Sequence, residues 1–115
     1  MAPPSQLAIA TSSLQRLVKE EASYYKELQQ QEARLEKSQT SKDEDENAEY
    51  QIKQERAAIE ETKAVFPPLR QRIVDALQKL EDQVQGAQQG GASEAEITKA
   101  KDAVAQAKKA AASEK

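Results

Sequence analysis

The sequence predicts an all-α protein, built as an antiparallel, up-down-up three-helix bundle. Two observations support this prediction. In each half of the chain, core-type residues recur at alternating spacings of three and four, which places them along one narrow stripe of an α-helix. Between these stripes, glycine, proline and clusters of polar residues fall where helices would begin and end. Each stripe, called a seam below, must be covered by another helix.

The two long seams contain few polar residues. The first seam consists of Leu7, Ala10, Leu14, Leu17, Glu21, Tyr24, Leu28, Gln31 and Leu35. The second seam consists of Ile52, Glu55, Ile59, Thr62, Phe66, Leu69, Ile73, Ala76 and Leu80. Helices of this length reach roughly 50 Å at about 1.5 Å per residue. Short connections between such helices favour antiparallel neighbours.

Capping residues and helix breakers predict where the first two helices begin and end. Helix 1 starts at the N-cap candidate Ser5, directly after two prolines, and spans about residues 5–38. A polar segment follows, and helix 2 spans about residues 44–85. It ends at about Gln85, where Gly86 and then Gly90 and Gly91 supply the stop.

Two prolines, Pro67 and Pro68, lie inside the second seam. They remove two helical N–H donors, and one interpretation is that two separate helices meet here. The seam keeps its phase from Ile59 across the prolines to Ile73. This continuity favours the other interpretation, a single helix 2 that is kinked at Pro67 and Pro68.

A third helix is predicted over about residues 93–112. Ser93 and Glu96 form the S-x-x-E pattern of a capping box. The weaker seam of this helix consists of Ile97, Ala100, Val104, Ala107 and Ala111. At about 30 Å, helix 3 is too short to cover a hairpin of about 50 Å. We therefore expect a less buried two-helix tip that contains Leu28, Leu35, Tyr50 and Ile52.

Composition excludes several classes of protein. The 115 residues fit a single domain, 1–115, and they include neither cysteine nor histidine, so disulfides and the commonest metal ligand are missing. A net charge of −3 provides no basic footprint for nucleic acid. A mean hydropathy of −0.88 excludes a membrane span, and the first residues lack the features of a signal peptide. The cytosol is the expected compartment.

The sequence contains no recognisable catalytic or metal-binding constellation. The acidic run at residues 43–46 has no nearby glycine to turn a calcium loop, so it is interpreted as a solvated linker. Adjacent carboxylates such as Glu60 and Glu61 diverge on a helix and cannot act on one bond as acid and base. We expect a protein that is not an enzyme and that uses no cofactor and no metal.

The four aromatic residues divide into two pairs. Tyr24 and Phe66 occupy seam positions and are predicted to be core residues. Tyr25 and Tyr50 flank the seams and could instead anchor a partner.

Residues of the first two helices resemble a known family. Residues 16–37, RLVKEEASYYKELQQQEARLEK, are similar to the first helix of the tubulin-binding cofactor A family, whose pattern has RLVKE, a tyrosine followed by KE, then QQE and LEK. Two later segments of the family are matched by Tyr50, Ile52, Lys53 and Gln54, and by Glu61, Thr62, Phe66, Pro67, Arg70, Arg72 and Ile73. The match covers roughly residues 14–81 in the right order and spacing.

The resemblance implies a tubulin-folding cofactor. Such a protein is a non-catalytic holdase that binds newly folded β-tubulin after the chaperonin and passes it on toward the αβ-tubulin heterodimer. β-Tubulin is the expected partner, with other tubulin-folding cofactors as further partners, and no nucleic acid or membrane is involved. The expected protein is cytoplasmic and cytoskeleton-associated, and is a monomer or a weak homodimer.

The predicted partner-binding residues are those that match the family and lie off the seams. They are Arg16, Lys19, Glu20, Tyr25, Glu27 and Glu32 on helix 1, and Tyr50, Lys53, Glu61, Arg70 and Arg72 on helix 2. The alternative for each of them is a solvated surface residue, because few contact residues contribute most of a binding energy.

A second function fits the helical pattern without the family resemblance. It is a structural coiled coil or adaptor that self-associates through its heptad seams.

Overall fold

The computed structural model describes residues 5–40, 46–90 and 92–113, and three α-helices account for nearly all of them. Helix α1 spans Gln6–Thr40, α2 spans Glu46–Gly90 and α3 spans Glu94–Ser113. No strand occurs within these described ranges. The predicted all-α three-helix bundle is confirmed, and the antiparallel order of its helices stays a prediction.

Side-chain caps define both ends of α1. The Ser5 hydroxyl oxygen accepts a hydrogen bond from the Ala8 N–H at 3.0 Å, which satisfies one of the backbone donors left free at a helix start. At the other end, the Thr40 hydroxyl donates to the Lys37 carbonyl at 3.2 Å. Ser5 is therefore the N-cap that the sequence predicts.

Helix α2 runs through Pro67 and Pro68 as one helix. The interpretation as two separate helices is therefore wrong, while the kink stays a prediction. Residues 43–45 of the acidic run lie outside the described residues, and its last member, Glu46, is the first residue of α2.

Helix α2 ends later than about Gln85, where its end was predicted. It continues past Gly86 to Gly90, the second of the three glycines predicted to stop it. A glycine inside a helix costs only about 1 kcal/mol relative to alanine. This cost is small enough for α2 to continue through Gly86. The buried side chain of Val84, with 8% exposure, anchors this part of the helix against the core. The neighbouring packing therefore outweighs the local preference of glycine.

The start of α3 is tied to the start of α1. The Ser93 hydroxyl oxygen accepts a hydrogen bond from the Glu96 N–H at 3.2 Å, as the first half of a capping box requires. The Glu96 carboxylate accepts a hydrogen bond from the Ser5 hydroxyl at 3.1 Å. Ser5 thus caps α1 and also bonds to a residue in the first turn of α3.

The chain divides into two compact units, while the single domain over residues 1–115 stays a prediction. The first, called the three-helix unit, comprises Met1–Glu20 and Leu69–Lys115. The second, called the two-helix unit, comprises Glu21–Pro68. The three-helix unit thus contains parts of all three helices, and the two-helix unit contains parts of α1 and α2 only.

The core of the three-helix unit combines large residues from two helices with small residues from the third. Its buried apolar residues are Leu7, Ala10, Leu14, Leu69, Ile73, Leu80, Val84, Ala100, Ala103 and Ala107. Thr11 is also buried, and its hydroxyl donates to the Leu7 carbonyl at 2.8 Å, so the polar group is satisfied inside the core. Because the fully buried residues of α3 are all alanines, it can approach the other helices closely.

The seam predicted for α3 is wrong at one position. Ala111 is exposed, and Ala103, which was not assigned to the seam, is buried. Ala100, Ala103 and Ala107 follow spacings of three and four, so they form an equally regular stripe. Because alanine occurs on several faces of α3, the sequence does not show which stripe of alanines is buried.

Burial is lower in the two-helix unit. Its buried residues are Glu21, Ile59, Thr62 and Phe66. The remaining seam residues are half-buried: Tyr24, Leu28, Gln31, Leu35, Ile52 and Glu55. No third helix of this chain belongs to this unit within the described ranges, which explains why its seams are only partly covered.

Candidate partner-binding surfaces

Five of the predicted partner-binding residues lie in the three-helix unit. Arg16, Lys19, Arg70 and Arg72 are exposed, and Glu20 is half-buried. Arg16 lies two residues from the fully buried Leu14, which turns it about 160° away from the core at roughly 100° per residue. Lys19 follows three residues later, one turn along the same face.

Three of these cations have no ion pair within the described part of the chain: Arg16, Lys19 and Arg72. One ion pair of the three-helix unit joins Lys108 to Glu81 at 3.6 Å. The charged heads of Arg16, Lys19 and Arg72 are therefore available to carboxylates of a partner, without first breaking an internal pair.

An aromatic cluster organises one end of the two-helix unit. The ring of Phe66 lies 4.4 Å from the ring of Tyr25, centroid to centroid, with an angle of 30° between the planes. Tyr24 meets the same ring edge-on at 6.4 Å and 76°. Such pairs add roughly 0.5–1.5 kcal/mol beyond their buried area. Tyr25, predicted as a partner anchor, therefore also has a packing role.

The other predicted residues of the two-helix unit are exposed. They are Glu27, Glu32, Tyr50, Lys53 and Glu61. Tyr50 is 62% exposed, and its hydroxyl oxygen accepts a hydrogen bond from the Gln54 side chain at 2.8 Å. This bond holds the ring of an accessible aromatic residue, the type most often found among binding anchors.

Two exposed apolar residues were not predicted from the sequence. Ile9 is 52% exposed on α1, and Val74 is 57% exposed on α2. The signal that would have indicated them is their position off the seams, since a large aliphatic residue there has no packing role within the bundle. Both belong to the three-helix unit.

Ile9 lies in a groove of about 300 Å³ between α1 and α2 in the three-helix unit. From α1 the groove is lined by Gln6, Ile9, Ala10 and Ser13, and from α2 by Ala76, Lys79 and Gln83. The lining combines a small apolar floor with amide, hydroxyl and ammonium groups. Such a lining suits contact with another polypeptide rather than chemistry on a small molecule.

Charge is distributed unequally between the sequences of the two units. Residues 21–68 contain twelve acidic and seven basic side chains, a net charge of −5. The rest of the chain contains eight acidic and ten basic side chains, a net charge of +2. The three-helix unit is therefore the better match for an acidic surface.

Within the described ranges, no cluster of three or more acidic side chains is arranged to hold a metal ion. Nor is any described helix long and apolar enough to cross a membrane.

Comparison with known proteins identifies a family. The family model described as tubulin binding cofactor A matches residues 2–104. The chain is also 36% identical to tubulin-specific chaperone A of Saccharomyces cerevisiae over 78 residues, which cover 68% of this chain and 71% of the yeast protein. No solved structure matches the chain significantly.

Proposed function

The chain belongs to the tubulin binding cofactor A family, and we propose on this basis that it binds newly folded β-tubulin after the chaperonin. In this proposal it holds β-tubulin without catalysis and passes it on toward the αβ-tubulin heterodimer. The observation that supports this most strongly is the family match, which extends over residues 2–104 and so includes α1, α2 and the first half of α3.

The physical properties of the molecule fit a holdase. Its helices have charged outer faces and a few exposed apolar residues, such as Ile9 and Tyr50. Binding over an extended helical surface requires no enclosed pocket and no reactive group, since polar side chains set the register and partly exposed apolar groups add affinity.

We assign the contact with β-tubulin to the family-matched side chains that lie off the seams. In the three-helix unit these are Arg16, Lys19 and Arg72 together with Glu20 and Arg70. In the two-helix unit they are Tyr25, Glu27, Glu32, Tyr50, Lys53 and Glu61. Because the seams face the neighbouring helices, residues off the seams are better placed to contact a client.

Self-association through the seams, the alternative function, is less consistent with the burial of the seam residues. Leu14 and Leu80 are 0% exposed within a single chain. A coiled coil formed through the same positions would have to remove these side chains from the core, so each contact between copies would replace a contact already made within one chain.

The proposal includes a place of action and further partners. We place the protein in the cytoplasm, associated with the cytoskeleton through tubulin, and we expect other tubulin-folding cofactors to receive the client from it. We expect the chain to act as a monomer or a weak homodimer.

A pull-down with purified chain tests the capture. The immobilised chain is incubated separately with isolated β-tubulin and with intact αβ heterodimer. Retention of β-tubulin together with weak or absent retention of the heterodimer is the expected result. Equal retention of both, or retention of neither, would contradict the proposed function.

A further inference from the structure

We propose that α2 binds an arginine side chain of the client at two adjacent backbone carbonyls, those of Lys63 and Ala64. The site lies one turn before Pro67 and Pro68, within the two-helix unit. This inference rests on the proposed function and assigns to it a contact site and a partner chemistry.

The two prolines remove the hydrogen-bond donors of these carbonyls. In an α-helix, each carbonyl accepts a hydrogen bond from the N–H group four residues later. Pro67 and Pro68 have no N–H group, although α2 continues through both of them. The carbonyls of Lys63 and Ala64 therefore have no donor at the helical spacing.

Other spacings offer little replacement. For the Ala64 carbonyl, the N–H group three residues later would belong to Pro67, so a bond of the 3₁₀ type is excluded as well. For the Lys63 carbonyl, the residue five positions later is Pro68, which excludes a bond of the π type. Among the described residues, no side chain donates to either carbonyl. Both acceptors are therefore left to solvent or to a partner.

Both carbonyls belong to exposed residues on the outer face of α2. Ala64 lies two residues from the buried Thr62 and two from the buried Phe66, which turns it about 160° away from each. A proline ring pushes against the carbonyl four residues before it, so that carbonyl tilts away from the helix axis toward solvent. A donor that approaches from outside the helix can therefore reach both oxygens.

The core does not require proline at either position. The side chains of Pro67 and Pro68 are exposed, whereas their neighbours Phe66 and Leu69 are buried. Proline inside a helix lowers its stability, and these two rings fill no space between the helices. A contact made outside the helix gives them a function.

A carboxylate lies beside the two carbonyls. Glu61 precedes Ala64 by three residues and so lies on the same face of α2. Its side chain is exposed and has no ion pair within the described part of the chain. Lys63, the one cation in the sequence from 60 to 68, pairs with Glu60 at 3.9 Å. Glu61 therefore adds a negative charge that a cationic donor from a partner can neutralise.

Arginine matches this set of acceptors better than the other side chains do. Its guanidinium group has five N–H donors in one plane, enough to serve both carbonyls and the Glu61 carboxylate together. The ammonium group of lysine is a compact charge with three donors, and it is more strongly hydrated. The aliphatic stem of arginine can also pack on the exposed rings of Pro67 and Pro68.

The test uses the full, isotopically labelled chain and three small probes. The probes are the N-acetylated amides of arginine, of lysine and of citrulline, whose neutral ureido group replaces the guanidinium. Shifts of the backbone carbonyl carbons report the hydrogen bonds that these carbonyls accept. We expect the arginine probe to shift the carbonyl carbons of Lys63 and Ala64, and to bind at least about threefold more tightly than the lysine or citrulline probe.

Two substitutions each return one donor. Pro67→Ala supplies the N–H group for the Lys63 carbonyl, and Pro68→Ala supplies the one for the Ala64 carbonyl. We expect each variant to lose the probe response at the carbonyl that it satisfies. Gly86→Ala also favours the helical state of α2 and should leave both responses unchanged.

A second pair of variants leaves the prolines in place. Glu61→Gln removes the carboxylate beside the carbonyls, whereas Glu36→Gln removes an exposed carboxylate of α1 outside the predicted set. We expect Glu61→Gln to weaken binding of the arginine probe about threefold or more, and Glu36→Gln to stay within about twofold of the parent.

Retention of β-tubulin is then compared among the same variants. The double variant Pro67→Ala with Pro68→Ala should weaken retention at least about fivefold, and Gly86→Ala should stay within about twofold of the parent. Because alanine favours the helix more than proline does, this loss would not come from unfolding.

Three outcomes would overturn the arginine site. They are the absence of carbonyl shifts with the arginine probe, equal binding of the arginine and lysine probes, and retention of β-tubulin by the double variant at the level of a parent that binds it. In the last case the proposed function stands. If the parent retains no β-tubulin, the proposed function fails, and the probe titration alone decides about the site.

Discussion

Phe66 is the residue on which the packing of the two-helix unit depends most. It is 4% exposed and contacts the rings of both Tyr24 and Tyr25. Because this unit has few buried residues, the loss of one large side chain removes much of its apolar burial.

We expect Phe66→Ala to lower the free energy of unfolding by about 3–5 kcal/mol, through lost apolar contact and the cavity left behind. Tyr50→Ala is the control, since Tyr50 is 62% exposed and should change stability by less than about 0.5 kcal/mol. Urea unfolding followed by circular dichroism measures both. Equal effects of the two substitutions would show that the aromatic cluster does not stabilise the fold.

Charged residues off the seams are expected to affect binding and not folding. Combined Arg16→Glu and Lys19→Glu, or Lys53→Glu alone, should weaken capture of β-tubulin and leave the melting temperature nearly unchanged, because all three side chains are exposed. Arg34→Glu and Lys101→Glu reverse exposed charges outside the predicted set and serve as controls. Capture at the parent level by both test variants would rule out binding through the charged faces.

For single residues, the sequence predicted burial better than exposure. The seams predicted burial well, because a residue facing a neighbouring helix is excluded from water whatever its detailed contacts. The exposure of Ile9 and Val74 was not predicted. Periodicity identifies the apolar residues that form a seam, and it says nothing about apolar residues at other positions. The tubulin partner came from residue patterns shared with a family, and helical physics alone could not have named it.

At the scale of the helix, α2 shows that packing outweighs local preference. The helix continues through Pro67, Pro68 and Gly86, three positions at which the sequence alone suggests an interruption. The unbroken phase of the second seam was the better guide at the prolines. At Gly86 no seam residue followed, so the sequence placed the end of the helix at the first of three glycines, whereas α2 continues to the second, Gly90.

Gly86→Ala should stabilise the protein. Gly86 lies inside α2, and a Cβ added there meets no atom within 4 Å. Alanine restricts the unfolded chain and favours the helix, so we expect a gain of about 0.4–1 kcal/mol in the free energy of unfolding. Thermal and urea unfolding measure the change. A loss of stability would mean that Gly86 is not helical in solution.

Across the whole molecule, burial is concentrated in the three-helix unit. Eleven buried residues belong to it, whereas the two-helix unit contains four. The sequence predicted this difference from the length of the third helix alone. It did not predict which alanines of α3 would be buried, because alanine occurs on every face of that helix.

Hydrogen exchange should reproduce this difference. Amides in residues 28–35 and 47–58, where no described side chain is buried, should exchange faster than those in residues 7–14 and 73–84. Mass spectrometry of peptides from both units gives the comparison within one sample. Slower or equal exchange in the two-helix unit would show that local stability does not increase with the burial of side chains.

The proposal that the protein holds β-tubulin and passes it on is tested most directly by following a preformed complex. Labelled β-tubulin bound to the chain is mixed with α-tubulin and the other tubulin-folding cofactors, and native gels record the position of the label over time. We predict that the label moves from the complex to the αβ heterodimer while the chain is released unmodified. A label that stays with the chain, or a heterodimer yield that is the same without the chain, would contradict the account.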